Sequence, residues 1–276
     1  MIENINWYPG HMKKTRELIA ENLKLVDLVV EVLDARIPVS SRNPIIGELV
    51  GDKSKIIILN KADLADDKAT KEWIDKLSSP QTRVITMNCN SGEGAKKLLS
   101  ILEQIRDEKN EGRERKRPLR MMIVGIPNVG KSSLINRLTG KKAAKTGNKP
   151  GVTRGKQWLT LGSDMMLLDT PGILWPKFED PKVGLNLAFC GSIKDEIMDI
   201  AELGLELIGR LSEVHPDLLC ARYKLEKIEE TPLLTMEAIA KKRGFILAGK
   251  RIDYERTAKT VIDEFRSATI GKITLE

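Results

Sequence analysis

With 276 residues, 41% of them hydrophobic and 31% charged, the chain has the length for a domain with a sizeable core plus a smaller appendage. No apolar run approaches a membrane span, the stretch MIENINWYPGHMKK lacks the apolar segment of a signal peptide, and Cys89, Cys190 and Cys220 have neither metal-ligand spacing nor an even count, so a reducing cytoplasm is expected. A formal net charge of +7 biases the surface towards polyanions without naming a partner.

In chain order, Leu18, Ile19 and Leu23 fall at helical spacing between Thr15 and Lys24 and lead into the apolar run Leu25 to Leu33, which reads as a buried strand. Similar runs follow at Ile56 to Leu59, Arg83 to Met87, Met121 to Val124 and Met165 to Leu168, as expected of parallel strands covered on both faces. Helical candidates lie between them at Thr70 to Leu77, Glu93 to Arg106 and Lys131 to Leu138. This alternation predicts a doubly wound, mostly parallel α/β sheet. Asp107 to Arg120 is dense in charge, with Pro118 just before the fourth strand, and reads as a connector. From about Asp180 the pattern changes to helical signals alone, at Asp195 to Leu211, Thr235 to Arg243 and Tyr254 to Ser267. The expected division is therefore a sheet domain over 1–178 and a small helical domain over 179–276.

Gly125 to Ser132 reads GIPNVGKS, a Gly, four residues, Gly, Lys, Ser pattern set between an apolar strand and a helix. In that setting the glycines let the backbone N–H groups face phosphates. Lys131 reaches the β- and γ-phosphates, Ser132 ligates Mg²⁺, and Asn128, Val129, Gly130 and Ser133 complete the cradle. Asp169-Thr170-Pro171-Gly172 ends a strand about forty residues later, where Asp169 is expected to serve the metal and the Gly172 N–H the γ-phosphate. Asn60-Lys61-Ala62-Asp63 selects the base. A carboxylate at Asp63 accepts from both N1–H and the 2-amino group of guanine, a donor pair adenine lacks, so GTP and GDP are the expected ligands. Asn60 supports the purine edge and the loop geometry, and the stem of Lys61 covers the base plane. Asn88 and Cys89 begin a second guanine-side loop whose backbone N–H meets the base carbonyl. Thr153, in Asn148-Lys149-Pro150-Gly151-Val152-Thr153, is the best candidate for a threonine that completes the metal shell in a mobile loop.

In a Ras-like GTPase the phosphate loop comes first, whereas here residues 60–63 precede residues 125–132; the order is circularly permuted, with Asp107 to Pro118 as the surface connector. These motifs, with Trp7-Tyr8-Pro9-Gly10-His11-Met12, Asp34-Ala35-Arg36-Ile37-Pro38, Ser41-Arg42-Asn43-Pro44 and Ile173-Leu174-Trp175-Pro176, closely resemble the bacterial ribosome biogenesis GTPase A family (YlqF/RbgA) over nearly the whole chain. The resemblance implies a permuted P-loop GTPase domain followed by a helical RNA-binding domain. It also implies a role in late assembly of the large ribosomal subunit, with that subunit's precursor and its rRNA as partners and turnover stimulated by the particle. Neither a membrane nor DNA is expected as a partner.

The charge pattern gives partial support. Residues 141–156 hold six basic and no acidic residues, and Lys241 to Lys272 hold nine basic against four acidic, although a solvated lysine face fits either segment as well. Ile173 stands where Ras-like enzymes place a water-orienting Gln, so intrinsic turnover is expected to be slow. His11 is chemically suited to orient water instead; capping the first helix or touching RNA are equally weighted roles for it. Asn128, by resemblance to potassium-using GTPases, is a candidate K⁺ ligand, with loop shaping as its alternative. Two other functions remain: a GTPase acting on another RNA such as tRNA, for which no extra catalytic domain is visible, and a nucleotide-binding module without turnover. The presence of Lys131, Ser132, Asp169 and Gly172 disfavours the second.

Overall fold

The structure, a computed structural model, describes residues 16–17, 19–51, 53–140, 157–169, 180–193 and 199–276, with backbone alone at Gln157 and Asp169. Six strands form one sheet: β1 (Leu28–Asp34), β2 (Lys55–Asn60), β3 (Thr82–Met87), β4 (Leu119–Val124), β5 (Gln157–Leu161) and β6 (Met165–Asp169). Their spatial order is β3-β2-β1-β4-β6-β5, parallel throughout except for the β5/β6 pair. All seven residues of β1 are buried, which is why its sequence is almost unbroken Val and Leu.

Helices cover both faces of the sheet. On one side α3 (Ala95–Asn110) and α4 (Lys131–Thr139) pack Leu98, Leu102, Leu134 and Ile135 against Val30, Val32, Ile58 and Ile123. On the other, α1 (Pro44–Val50) and helical residues 19–23 cover Val29, Met122 and Leu168, while α2 (Asp67–Leu77) covers Ile57 and Leu59. Beyond the sheet come α5 (Pro181–Phe189), α6 (Ile200–Val214), α7 (Pro216–Tyr223), α8 (Pro232–Arg243) and α9 (Tyr254–Arg266), whose apolar faces join the same core cluster as the α3/α4 face. The closest packing is α6 on α9, where Gly204 leaves no room for a side chain beside Ala258.

Several boundaries differ from expectation for physical reasons. The apolar run from Leu25 is not all strand: Leu25 N–H bonds to Asn22 O at 2.9 Å in a turn that closes the helix, and Leu25 remains 43% exposed. The connector begins later than its charge suggests, because α3 continues to Asn110. The Asn110 side chain then ties the connector down by donating to Arg117 O at 3.0 Å and accepting from Arg117 N at 2.8 Å. Helices α1, α5 and α7 were not anticipated, yet each starts with a proline in its first turn. Asn43 and Asp180 cap α1 and α5, accepting from Ile45 N and Lys182 N. Strand β5 is a short antiparallel edge strand whose apolar residues are interrupted by Thr160, so a search for continuous apolar runs passes over it. The expected boundary at 178/179 lies outside the described residues.

Residues 270–276 return to the sheet. Ile273 N–H donates to Leu64 O (3.2 Å), Leu275 N–H to Arg36 O (2.9 Å) and the Trp73 indole to Glu276 O (3.0 Å). The Glu276 carboxylate accepts from Val39 N–H (2.7 Å), Ser40 N–H (3.1 Å), the Asn186 amide (2.9 Å) and the Ser40 hydroxyl.

Candidate functional site

From β1 the chain moves outward to β2 and then β3 on one side, whereas after β4 it moves to the opposite side, to the edge strand β5 and then back to β6 between β5 and β4. The β1/β4 junction is therefore a topological switch point, where open α/β sheets bind ligands beyond the carboxyl ends of their strands. The phosphate-loop motif emerges there from β4, and the motif at residues 60–63 from β2, the strand on the other side of β1.

At the end of β4, Gly125 (φ 150°), Asn128 (φ 60°) and Gly130 (φ 107°) all have positive φ, which curls the backbone into a cradle. A side chain at Gly125 would come within 2.6 Å of Val32 O, and one at Gly130 would collide with the Asn60 amide, so both positions require glycine. Helix α4 begins at Lys131 without a side-chain cap, which leaves its first N–H groups directed into the cradle. Ser132 and Ser133 sit half-buried in its first turn. Lys131 is buried and folds back over the loop, its Nζ donating to Gly125 O (2.9 Å) and Ile126 O (2.7 Å).

At the end of β2 the Asn60 amide is buried and doubly engaged: Nδ2 donates to Val129 O (2.6 Å) and Oδ1 accepts from Cys89 N–H (2.9 Å). One side chain thus ties the phosphate-type loop to the loop after β3. In that loop Asn88 Oδ1 accepts from Asn90 N–H (2.9 Å) and Ser91 N–H (3.0 Å), Gly92 N–H bonds to Asn88 O (2.8 Å), and Arg137 donates to Asn90 O. Every N–H from Cys89 to Gly92 is therefore held within the site's own framework, and a base carbonyl would have to share one of them. Burial pushes the Cys89 thiol up to about 12, so it stays protonated and packs as an apolar group. Asp63 is exposed in the 3₁₀ turn over residues 62–64, free to meet a ligand edge.

Lys61 adopts a left-handed conformation (φ 59°), and its ammonium donates to Asp34 Oδ2 at 2.8 Å. Asp34 is wholly buried and forms a bidentate pair with Arg36, with Nε to Oδ1 at 2.9 Å and a terminal nitrogen to Oδ2 at 2.7 Å. Burial alone would raise its pKa, but the charges and hydrogen bonds of Arg36 and Lys61 prevail and hold the carboxyl well below the usual range. The Arg36 guanidinium lies 5.6 Å from the Phe265 ring centroid and reaches Arg266 O (3.4 Å) and Cys190 O (3.5 Å). Arg266 in turn donates to Phe189 O (2.9 Å) and Ala188 O (2.8 Å), and the Asn128 amide to Gly191 O (2.9 Å). The carbonyls at the end of α5 are thus captured by three side chains, two of which adjoin the candidate site. Sequence reasoning noted Asp34 and Arg36 only as part of a resemblance, and their partners lie too far along the chain to form a local pattern.

A second buried carboxylate, Glu31, sits level with Val124 across β1 and β4. Desolvation raises its pKa, which Arg42 at 3.7 Å and Lys55 offset only in part, and its Oε1 has no hydrogen-bond partner among the described residues. Asp169 closes β6 one residue beyond the Met122–Leu168 pair, at the carboxyl edge of the sheet. His11, Thr153 and Gly172 lie outside the described residues. For Mg²⁺ the Ser132 hydroxyl beside an uncapped helix start and the position of Asp169 next to β4 suit a hard cation. No cluster of three or more His, Cys, Asp or Glu forms an all-protein metal cage among the described residues. No helix among the described residues is long and apolar enough to cross a membrane.

Comparison with known proteins agrees with this geometry. The family described as 50S ribosome-binding GTPase matches residues 120–236. Ribosome biogenesis GTPase A of Bacillus cereus is 45% identical over 276 residues, covering 99% of this chain and 93% of that protein. Among solved structures, a GDP-bound YlqF superposes with a TM-score of 0.68 at 30% identity, covering 94% of this chain and 98% of the other. GNP-bound YlqF from T. maritima superposes with a TM-score of 0.65 at 31% identity, covering 95% and 97%.

Proposed function

Since the chain belongs to the ribosome biogenesis GTPase A family and is a GTP-hydrolysing enzyme, we propose that it acts in the cytoplasm in late assembly of the large ribosomal subunit, binding the maturing particle and its rRNA. The observation that carries this reading is the Asn60 bridge, which locks a phosphate cradle and a guanine-reading turn together at the switch point of the sheet. Around it, Asp63 reads the guanine edge, the stem of Lys61 covers the base, and Asn88 and Cys89 shape the second base-side loop.

In hydrolysis, water attacks the γ-phosphorus of GTP, the bond to the β-phosphate oxygen breaks, and GDP and phosphate leave. Lys131 moves from its loop carbonyls onto the β- and γ-phosphates, where its charge is worth most in the transition state. The backbone N–H groups of Asn128 to Ser133 hold the phosphates, and the Gly172 N–H holds the γ-phosphate. Ser132, Thr153 and Asp169 are the residues that would hold Mg²⁺, which would supply charge neutralisation to the phosphates. With Ile173 unable to orient water, His11 takes that role on the particle. Asn128 keeps its amide nitrogen on Gly191 O, which leaves its oxygen for K⁺.

Co-sedimentation with purified large and small ribosomal subunits tests this reading. Selective binding to the large subunit, stronger with a non-hydrolysable GTP analogue than with GDP, is expected. Equal binding to both subunits, or none with either nucleotide, overturns it.

A further inference from the structure

The nine cations between Lys241 and Lys272 do not form one surface. The Arg243 guanidinium binds Glu264 at 2.6 Å beside Tyr223, Arg266 holds the α5 carbonyls, Lys272 pairs with Asp67 at 3.2 Å, and Arg256 stacks 4.5 Å from the Phe245 ring centroid. These four are engaged by groups of the protein itself. Lys242, Lys250, Arg251 and Lys259 are exposed and form no ion pair among the described residues.

Two of these, Lys250 and Arg251, sit on a hairpin that joins α8 to α9. Its rungs are Asp253 N–H to Phe245 O (3.0 Å), the Ile246–Ile252 bridge and Leu247 N–H to Arg251 O (2.7 Å). Its tip turns through Gly249 (φ 74°) and Lys250 (φ 59°), a backbone that side-chain-bearing residues rarely adopt. All six residues from 246 to 251 are exposed, including Ile246 at 42% and Leu247 at 47%. Residues 241–252 contain no carboxylate. At the base Arg256 stacks on Phe245, and Lys259 follows Arg256 by three residues on the same face of α9.

A narrow protrusion with an aliphatic flank, cations at its tip and base and no carboxylate before Asp253, whose side chain is engaged in capping α9, is complementary to RNA. The wide, shallow minor groove of an A-form helix offers riboses for the aliphatic groups and phosphates on both rims for the cations. We propose that the hairpin over residues 245–253 is an RNA wedge: Ile246 and Leu247 lie against riboses, while Lys250 and Arg251, with Lys242 and Lys259 behind them, contact phosphates. This rests on the ribosomal reading above and names the element that makes the contact.

The test is a salt titration of full-length protein binding to purified large subunits with a non-hydrolysable GTP analogue, comparing wild type, K250Q/R251Q and I246S/L247S. K250Q/R251Q is expected to weaken binding about tenfold and to reduce the slope of log affinity against log salt by about 1.5 to 2. I246S/L247S is expected to weaken binding with the slope unchanged. Nucleotide affinity and thermal midpoint should match wild type in both, since the hairpin touches neither site nor core. A cleavage probe tethered at Ala248→Cys, in a Cys220→Ser background, should cut rRNA. Wild-type affinity and slope in both variants overturn the wedge while leaving the ribosomal reading intact, and so does labelling of a ribosomal protein in place of rRNA. Failure of the wild type to bind the particle removes that reading and the wedge with it.

Discussion

The ends of β2 and β4 meet over the same switch point but are built by different means. The β4 loop is a backbone device: three positive-φ residues and an uncapped helix start make the cradle, and its side chains contribute mainly at Lys131. The β2 end is a side-chain device, in which Asn60 bridges two loops and Lys61 rests on a buried Asp34–Arg36 pair. The first kind of construction tolerates side-chain variation except where a Cβ collides. The second concentrates its stability in a few atoms, and through Arg36 it also holds α5 and α9.

Removing the buried carboxylate should produce the largest effect. Asp34→Ala leaves Arg36 and Lys61 facing a desolvated void and should destabilise the protein by about 3–5 kcal/mol in denaturant titration. A loss below about 1 kcal/mol would show that the β2 end does not depend on this pair. The pH dependence sharpens the point. Because the folded-state pKa of Asp34 is depressed, its contribution is fully present above the unfolded carboxylate value of about 3.9 and fades as pH falls below it. The acid limb of the wild-type stability profile should therefore be steeper than that of the alanine variant.

Asn60→Ala should cost less, about 2–3 kcal/mol, since it strands Val129 O and Cys89 N–H, each previously bonded. Its diagnostic is breadth. Affinity should fall for GDP and for inorganic pyrophosphate alike, because the bridge organises the phosphate cradle as well as the base loop. Loss confined to GDP would mean that the two ends act independently.

Asp63→Asn should be the mildest for the fold, within about 0.5 kcal/mol of wild type, since the carboxylate is exposed. Preference should nevertheless move from GTP towards xanthosine triphosphate by about tenfold or more in competitive titration, because the amide now donates where the carboxylate accepted. An unchanged preference for GTP would remove Asp63 from the base edge.

What could be read from the sequence follows the same division. Residues 125–132 and 60–63 were legible because short motifs in a strand-loop-helix setting leave the backbone few alternatives. The parallel strands were legible because burial on both faces leaves a continuous apolar run. Pro44, Pro181 and Pro216 did announce helix starts, but through the first-turn proline signal and not through apolar periodicity. The Asp34–Arg36 hub had no local signature, because Cys190 and Arg266 lie 154 and 230 residues beyond Arg36. Charge counting likewise placed Arg243 on a surface patch, whereas its guanidinium is committed to Glu264.

The return of residues 270–276 has a consequence for biosynthesis. Glu276 supplies the acceptor for Val39 N–H across 237 positions, and Ile273 and Leu275 reach back to Leu64 and Arg36. Translation is vectorial, so the loops after β1 and β2 leave the polypeptide tunnel long before the groups that fasten them. Until those residues emerge, the nascent chain holds the turn bearing Asp63 without its bond to Ile273, and the segment after Arg36 without its carboxylate clasp. A chain released before these residues are made therefore lacks both fastenings.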